Sequence, residues 1–329
     1  MLFGVLLGCG REGSGDQTVP EPTACAKVAA PDGDDAGPGT EDQPLGSFEA
    51  LANALESGQT GCLSESGTGE PFVANEFVID DAGVTITSTP GQRTMLRGRV
   101  YVAGSATGST LTGVDIDLAG QTSEDVGVQI NAEDFELSDA KVTDDQNQIC
   151  VSVGADDLRF GSGNGTVIAD STIQDCGIPG SNFAQGVYVN GADNMLIEDN
   201  SITGASARGV QLVGDSDANT IRQNVIWENG QSIGMGGRDG EVPDDNLIEE
   251  NVLSDPLGGY NLGFAFEELD SQPMGNAVRN NCLWAGEDPT GGVEPLPDRD
   301  PPVALEDNEV TQPRVAGGTV PSGICATSP

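Results

Sequence analysis

The chain has 329 residues, with 53 Asp and Glu against 13 Lys and Arg, no histidine, and a formal net charge of −40. A surface this acidic repels a phosphate backbone and excludes nucleic acid as a partner. Glycine is abundant at 47, and aromatics are scarce (Phe 9, Tyr 3, Trp 2), which argues for many turns around a core of small aliphatic side chains.

The N-terminus reads MLFGVLLGCGREGSG, a short apolar run ending in small residues and Cys9. Leu6-Leu7-Gly8-Cys9 resembles the lipobox of a bacterial lipoprotein signal, without the basic residues that usually open one. The resemblance implies that residues 1–8 are a signal peptide and that Cys9 is lipidated. The protein is then exported and held at the cell surface or outer envelope, touching membrane only through a lipid anchor. A secreted form is the alternative. No other apolar run is long enough to span a bilayer.

Residues 9–45 are rich in Gly, Pro and acid and read as a solvated tether. SFEALANALESGQTGCL (47–63) predicts one short amphipathic helix, with Ser47 as N-cap, Phe48, Leu51 and Leu55 on one face, and Gly58 able to end it. The period then changes to strand-like alternation in short trios: VTI (84–86), VYV (100–102), VQI (128–130), VSV (151–153), VYV (187–189), VQL (210–212), IGM (233–235) and LGF (262–264). In each trio the central side chain points outward and its neighbours inward.

A second phrase alternates with the trios. NTIRQNVI (219–226) returns as NLIEENVL (246–253) and NAVRNNCL (276–283). Aliphatic residues equivalent to Ile221 occur at Ile86, Leu111, Leu137, Ile168, Ile197, Ile248 and Val278, 24 to 31 residues apart. A unit of two or three short strands cannot bury its own apolar edge, so each must stack on its neighbours. The expected fold is all-β, a parallel β-helix (solenoid) of about seven or eight coils over residues 46–285. Asn200, Asn224, Asn251 and Asn281 fall in one column, where asparagine tolerates a left-handed bend and its amide bonds the coils above and below.

Six cysteines remain after Cys9, an even number that suggests disulfides in an exported chain. The repeat frame places Cys150 and Cys176 in the same bend of successive coils and pairs them. Cys25–Cys62 and Cys282–Cys325 would then staple the two ends. Residues 286–329 hold so many prolines that they read as a loop-rich tail capping the last rung.

The repeated phrase resembles the right-handed parallel β-helix of the pectate-lyase-like superfamily, whose members include polyuronate lyases, hydrolases, epimerases and proteins without activity. A lyase of this kind neutralises a uronate carboxylate with Ca²⁺ held by several acids and removes the C5 proton with Arg or Lys. The resemblance casts Asp144, Asp145 and Asp175 as Ca²⁺ ligands and Arg208 as the base. Acids on solvent turns are also the ordinary filling of an acidic protein. Hydrolase members carry paired aspartates with Gly-His-Gly, and this chain has no histidine. Trp227 and Trp284, with Tyr101 and Tyr188, are candidates for stacking on sugar rings, or for packing under loops. Arg222 and Arg279, flanked by Glu198 and Glu249, read as a surface charge ladder. The combined expectation is a cell-surface protein that binds, and in one account processes, an extracellular polysaccharide. The competing accounts are a calcium-dependent polyuronate lyase or epimerase, and a non-catalytic structural or adhesive protein.

Overall fold

The recurring aliphatic residues do stack. In the computed structural model, which describes residues 24–120, 126–154, 160–181, 184–266, 274–295, 303–311 and 325, every one of them lies in a single column. Ile86, Leu111, Leu137, Ile168, Ile197, Ile221, Ile248 and Val278 pair in unbroken parallel register and are buried. Each coil contributes three short strands to three walls. Wall 1 carries the aliphatic column and has eleven strands. Wall 2 holds the strand after each ladder asparagine, and wall 3 holds the trios except VTI (84–86), which lies on wall 1 because its Ile86 belongs to the aliphatic column. Walls 2 and 3 join as one sixteen-stranded sheet because the strand Thr94–Val102 belongs to both. Its first half pairs with Val114–Asp117 and its second half with Val128–Ile130.

The corners follow one rule. The last residue before a ladder position has left-handed backbone, and the asparagine after it is buried. Between walls 1 and 2 the pairs are Asp199-Asn200, Gln223-Asn224, Glu250-Asn251 and Asn280-Asn281, with φ of 54°, 57°, 56° and 54° at the first member. The sequence reading put the left-handed bend on the asparagine itself. The structure moves it one residue back, because the asparagine must turn its amide inward. Asn224 shows the reason: its Nδ2 donates to Ile197 O, Arg222 O and Asn251 Oδ1, while its Oδ1 accepts from Asn200 N and Asn200 Nδ2. One side chain thus satisfies backbone groups that the bend removes from the strand ladder.

The other two corners repeat the device. Asn219, Asn246 and Asn276 bond coil to coil between walls 3 and 1, and Asn229 does so between walls 2 and 3. A parallel aspartate column runs beside the wall 3 to wall 1 corner, where Asp193 Oδ1 accepts from Asp217 N and Asp217 Oδ1 from Asp244 N. Burial and neighbouring acids push the Asp193 and Asp217 carboxyls above their ordinary range.

Both ends depart from the expected boundaries. Residues 24–45 are not tether: Lys27–Ala29 is the first strand of wall 1, in register with Gly61–Leu63, and Ala29 and Leu45 are buried. The predicted helix over 47–63 is shorter, Phe48–Asn53, with the Ser47 hydroxyl accepting from Ala50 N. Thr60–Leu63 is a wall 1 strand instead, and Gly61 lets Leu51 and Leu55 press directly on it. At the other end the coils continue past residue 286. Val303–Glu306 and Glu309–Val310 pair with the last full coil, and Asn308 extends the amide ladder from Asn281. The prolines of the tail all precede Val303 or follow Val310, so VALEDNEV is free to extend.

Cys25–Cys62, Cys150–Cys176 and Cys282–Cys325 are the three disulfides, the first and last at the two ends and the second between successive coils. Cys9 and residues 1–23 lie outside the described residues.

Replacing Asn224 by Ala takes the buried side-chain partner from the Asn200 N–H and the Ile197 carbonyl, and is expected to cost at least about 2 kcal/mol in urea denaturation. Asp217 behaves oppositely. A carboxyl whose folded pKa is raised contributes most stability below its unfolded pKa and loses it as pH rises through the folded value. Asp217→Asn keeps the acceptor for Asp244 N and removes the charge. It should therefore raise the denaturation midpoint at neutral pH, with a gain that shrinks as pH falls toward the ordinary carboxylate range.

Candidate binding face

The outward face of wall 3 is where the structure gathers polar side chains that the fold does not consume. The central residues of the trios form one row in register: Tyr101, Gln129, Ser152, Tyr188, Gln211, Gly234 and Gly263. At about 4.8 Å per rung the row spans roughly 29 Å. A shorter row beside it holds Gln185, Arg208 and Gln231.

Arg208 anchors the middle of this face. Its Nε donates to Gln231 Oε1 at 3.0 Å and its Nη1 to Gln211 Oε1 at 3.4 Å, and Gln211 Oε1 also accepts from Gln185 Nε2. The guanidinium lies over Gly234, where any Cβ would strike it, and the Gln231 amide lies over Gly263 in the same way. The two glycines are therefore a recessed floor that lets long side chains lie flat along the sheet. Burial lowers the Arg208 pKa, partly opposed by the charges of Glu294 and Tyr188. Every other described arginine pairs with a carboxylate: Arg93 with Asp115 and Asp139, Arg97 with Asp117, Arg99 with Glu76, Arg222 with Glu198, Arg238 with Asp239 and Arg279 with Glu249. Among the described residues, Arg208 is the arginine that makes no salt bridge and is held by amides instead.

At the N-terminal end of the row, Gln129 Nε2 donates to Asn131 Oδ1 and Gly154 O, and Asn131 Nδ2 donates to the Tyr101 hydroxyl at 3.3 Å. The face thus alternates amides, hydroxyls and two tyrosine rings around one cation. Such a surface can exchange hydrogen bonds with many hydroxyls and attract a carboxylate.

The other sequence candidates fall elsewhere. Asp144, Asp145 and Asp175 do not form a metal site: among the described residues no three His, Cys, Asp or Glu side chains gather as ligands. They belong to the bend between walls 2 and 3. Asp144 is buried, with Oδ2 accepting from Asn147 N and Gln148 N, and Asp175 takes the left-handed corner position at φ 60°. Asp175 thus serves the corner through its backbone conformation, and Asp144 through its hydrogen bonds to the turn. Trp227 and Trp284 do share a column, on either side of Ser254, but on wall 2. Trp227 packs against the buried outer stripe Val225–Val252–Cys282, beside Cys325. The four aromatics therefore do not make one platform, since only Tyr101 and Tyr188 lie on wall 3. Arg222–Glu198 and Arg279–Glu249 are the expected charge ladder on wall 1.

Gln185 and Gln231 were missed in sequence although a signal was there. AQGVYV, ARGVQL and GQSIGM place a long polar side chain two residues before each trio, at the same place as Arg208.

Residues 100–283 match the family described as right handed beta helix region. The chain belongs to the right-handed β-helix family. Solved β-helices agree in fold. The crystal structure of pectate lyase Pel9A superposes with a TM-score of 0.60 at 11% identity, covering 93% of this chain and 82% of that one. The complex of XylC with xylose superposes at 0.56 and 11% identity, covering 86% of this chain and 69% of that one. No curated protein matches the β-helix chain by sequence.

Proposed function

We propose that this β-helix protein binds an extracellular polysaccharide along the outer face of wall 3, with Arg208 as the anchor for an acidic sugar. The observation that carries the reading is the arginine itself. In a chain of net charge −40 it is kept out of ion pairs, oriented by Gln211 and Gln231, and laid over a glycine floor. A guanidinium so placed has donor capacity left for a carboxylate. Tyr188 and the row of amides extend the contact along the rod. Two structural relatives, one a pectate lyase and one holding xylose, are consistent with a sugar ligand. Three disulfides support export to an oxidising compartment, and Cys9 is the proposed site of the lipid anchor.

A second reading, a polyuronate lyase or epimerase with Arg208 as base, is favoured by the burial that lowers the pKa of that group. Absorbance of an unsaturated product from pectate or alginate, lost in Arg208→Ala, is the signature of the lyase, and inverted C5 configuration without that absorbance is the signature of the epimerase.

Titration of pectate and alginate against the protein should show binding weakened at least about tenfold by Arg208→Ala, by analogy with loss of a charged hydrogen bond. Gly234→Val should do the same by displacing the guanidinium, with an unchanged melting transition. Equal affinity of wild type and both variants, or no binding to any acidic glycan, removes the reading in favour of a rod that only presents a surface. Radiolabelled palmitate should be incorporated by the full chain and not by Cys9→Ser.

A further inference from the structure

The N-terminal end of the rod carries a groove that the polysaccharide face does not use. Phe72–Ile79 is the first rung of walls 2 and 3, with a register shift between Val73 and Glu76, and pairs on one side only, with Thr94–Val102. Ile79 O accepts from Ala103 N, so Ile79 and Phe77 turn their backbone groups toward that neighbour. By alternation Glu76 and Val78 turn theirs to the open side. Among the described residues, no backbone hydrogen bond reaches Phe72–Val78 from that side.

The open edge is not bare. The helix Phe48–Asn53 runs alongside it, and between helix and strand lies a groove of 690 Å³. Phe48, Phe72 and Phe77 form its floor, and Phe48 and Phe77 meet edge to face at 5.2 Å. Val73 and Val78 on its strand side are 70% and 37% exposed. Four carboxylates line it, Glu49, Glu70, Glu76 and Asp80, of which Glu76 is paired with Arg99 behind it, and no lining residue is a cation. A strand edge facing a helix across an apolar floor is the geometry that accepts an extended peptide as an added strand.

We propose that this groove docks an extended cationic segment of another protein as an additional strand of wall 3. Charge decides the occupant. A second copy would bring its own four carboxylates into a groove already acidic, and the chain as a whole carries −40. Acids along an edge block pairing with a like strand. The same acids select a strand with Lys or Arg at alternate positions and aliphatic residues between, which would cover Val73 and Val78. At about 3.3 Å per residue, the regular wall 3 part of the strand, Glu76 to Ile79, offers an edge of roughly 13 Å, continued past the register shift by Phe72 and Val73.

The test uses the whole protein and a fluorescein-labelled octapeptide of alternating Lys and Val, read by fluorescence anisotropy. Binding is expected, weakening steeply with salt, with none for the Glu-Val counterpart. Val78→Pro removes an N–H from the open edge without touching the bonds to Thr94–Val102, and should loosen Kd at least about tenfold. Independently of any folding defect in that variant, the Lys-Val peptide N-methylated at alternate residues should fail against the wild-type protein. Neutralising the wall in Glu49→Gln/Glu70→Gln/Asp80→Asn should also weaken binding. Equal binding of the acidic peptide, undiminished binding of the methylated one, or no binding of either peptide overturns the proposal. So does a dimer in sedimentation that Val78→Pro dissolves, which would make a second copy the occupant. Arg208→Ala should leave peptide binding intact, which separates this groove from the polysaccharide face.

Discussion

The whole architecture depends on satisfying the backbone at three bends per coil without water. A solenoid of short strands has corners every few residues, and each corner takes peptide groups out of the strand ladder while keeping them next to the core. Buried amides without partners would cost more than the stacking of a single aliphatic rung returns. Asparagine solves this because one carboxamide supplies two donors and an acceptor at a fixed spacing. The columns through Asn200, Asn224, Asn251, Asn281 and Asn308 bond along the rod axis in step with the strands, so corner and wall share one repeat.

That device also accounts for part of the acidity. The residue before each ladder position needs left-handed backbone, which glycine, asparagine and aspartate adopt most readily. Among the described residues, eleven of the sixteen non-glycine residues with positive φ are acids. Their side chains leave the corner into solvent, so conformational demand and solubility are met by the same choice. Beside one corner, where Asp193 and Asp217 stack in a separate column, burial and like charge raise the carboxyl pKa values. The arginines then serve mainly as rungs between acids, as in Arg222 with Glu198 and Arg279 with Glu249. Against that background a cation held by glutamines is set apart, and its place on a face floored by glycine is what distinguishes wall 3 from the others.

The two ends of the rod solve a different problem. The N-terminal end is closed by a short helix, with Leu51 and the following Leu55 pressing on Gly61, stapled by Cys25–Cys62, yet leaves the edge of Phe72–Ile79 unpaired. The C-terminal end thins out over Val303–Glu306 and Glu309–Val310, with Leu305 at the end of the aliphatic column half exposed. The outer stripe Val225–Val252–Cys282 is buried under Trp227 and Cys325.

The amino-acid sequence by itself determined the coil: aliphatic residues at one recurring position, trios with a polar centre, and an asparagine after each bend. Periodicity is a local property, and stacking identical units turns it directly into register, so Ile86 through Val278 could be aligned before any fold was seen. It also carried the charge ladder on wall 1 and singled out Arg208. What only the tertiary structure decided was which acids, amides and rings meet. Asp144 and Asp175 share a column in sequence, but they are corner residues, and no metal-binding set forms around them. Trp227 and Tyr188 both read as outward, but on walls that face different ways. Gln231 reaches Arg208 from the next coil, across a floor that exists because Gly234 has no side chain. Such meetings depend on the angle between walls and on the direction of long side chains, neither of which a one-dimensional repeat encodes.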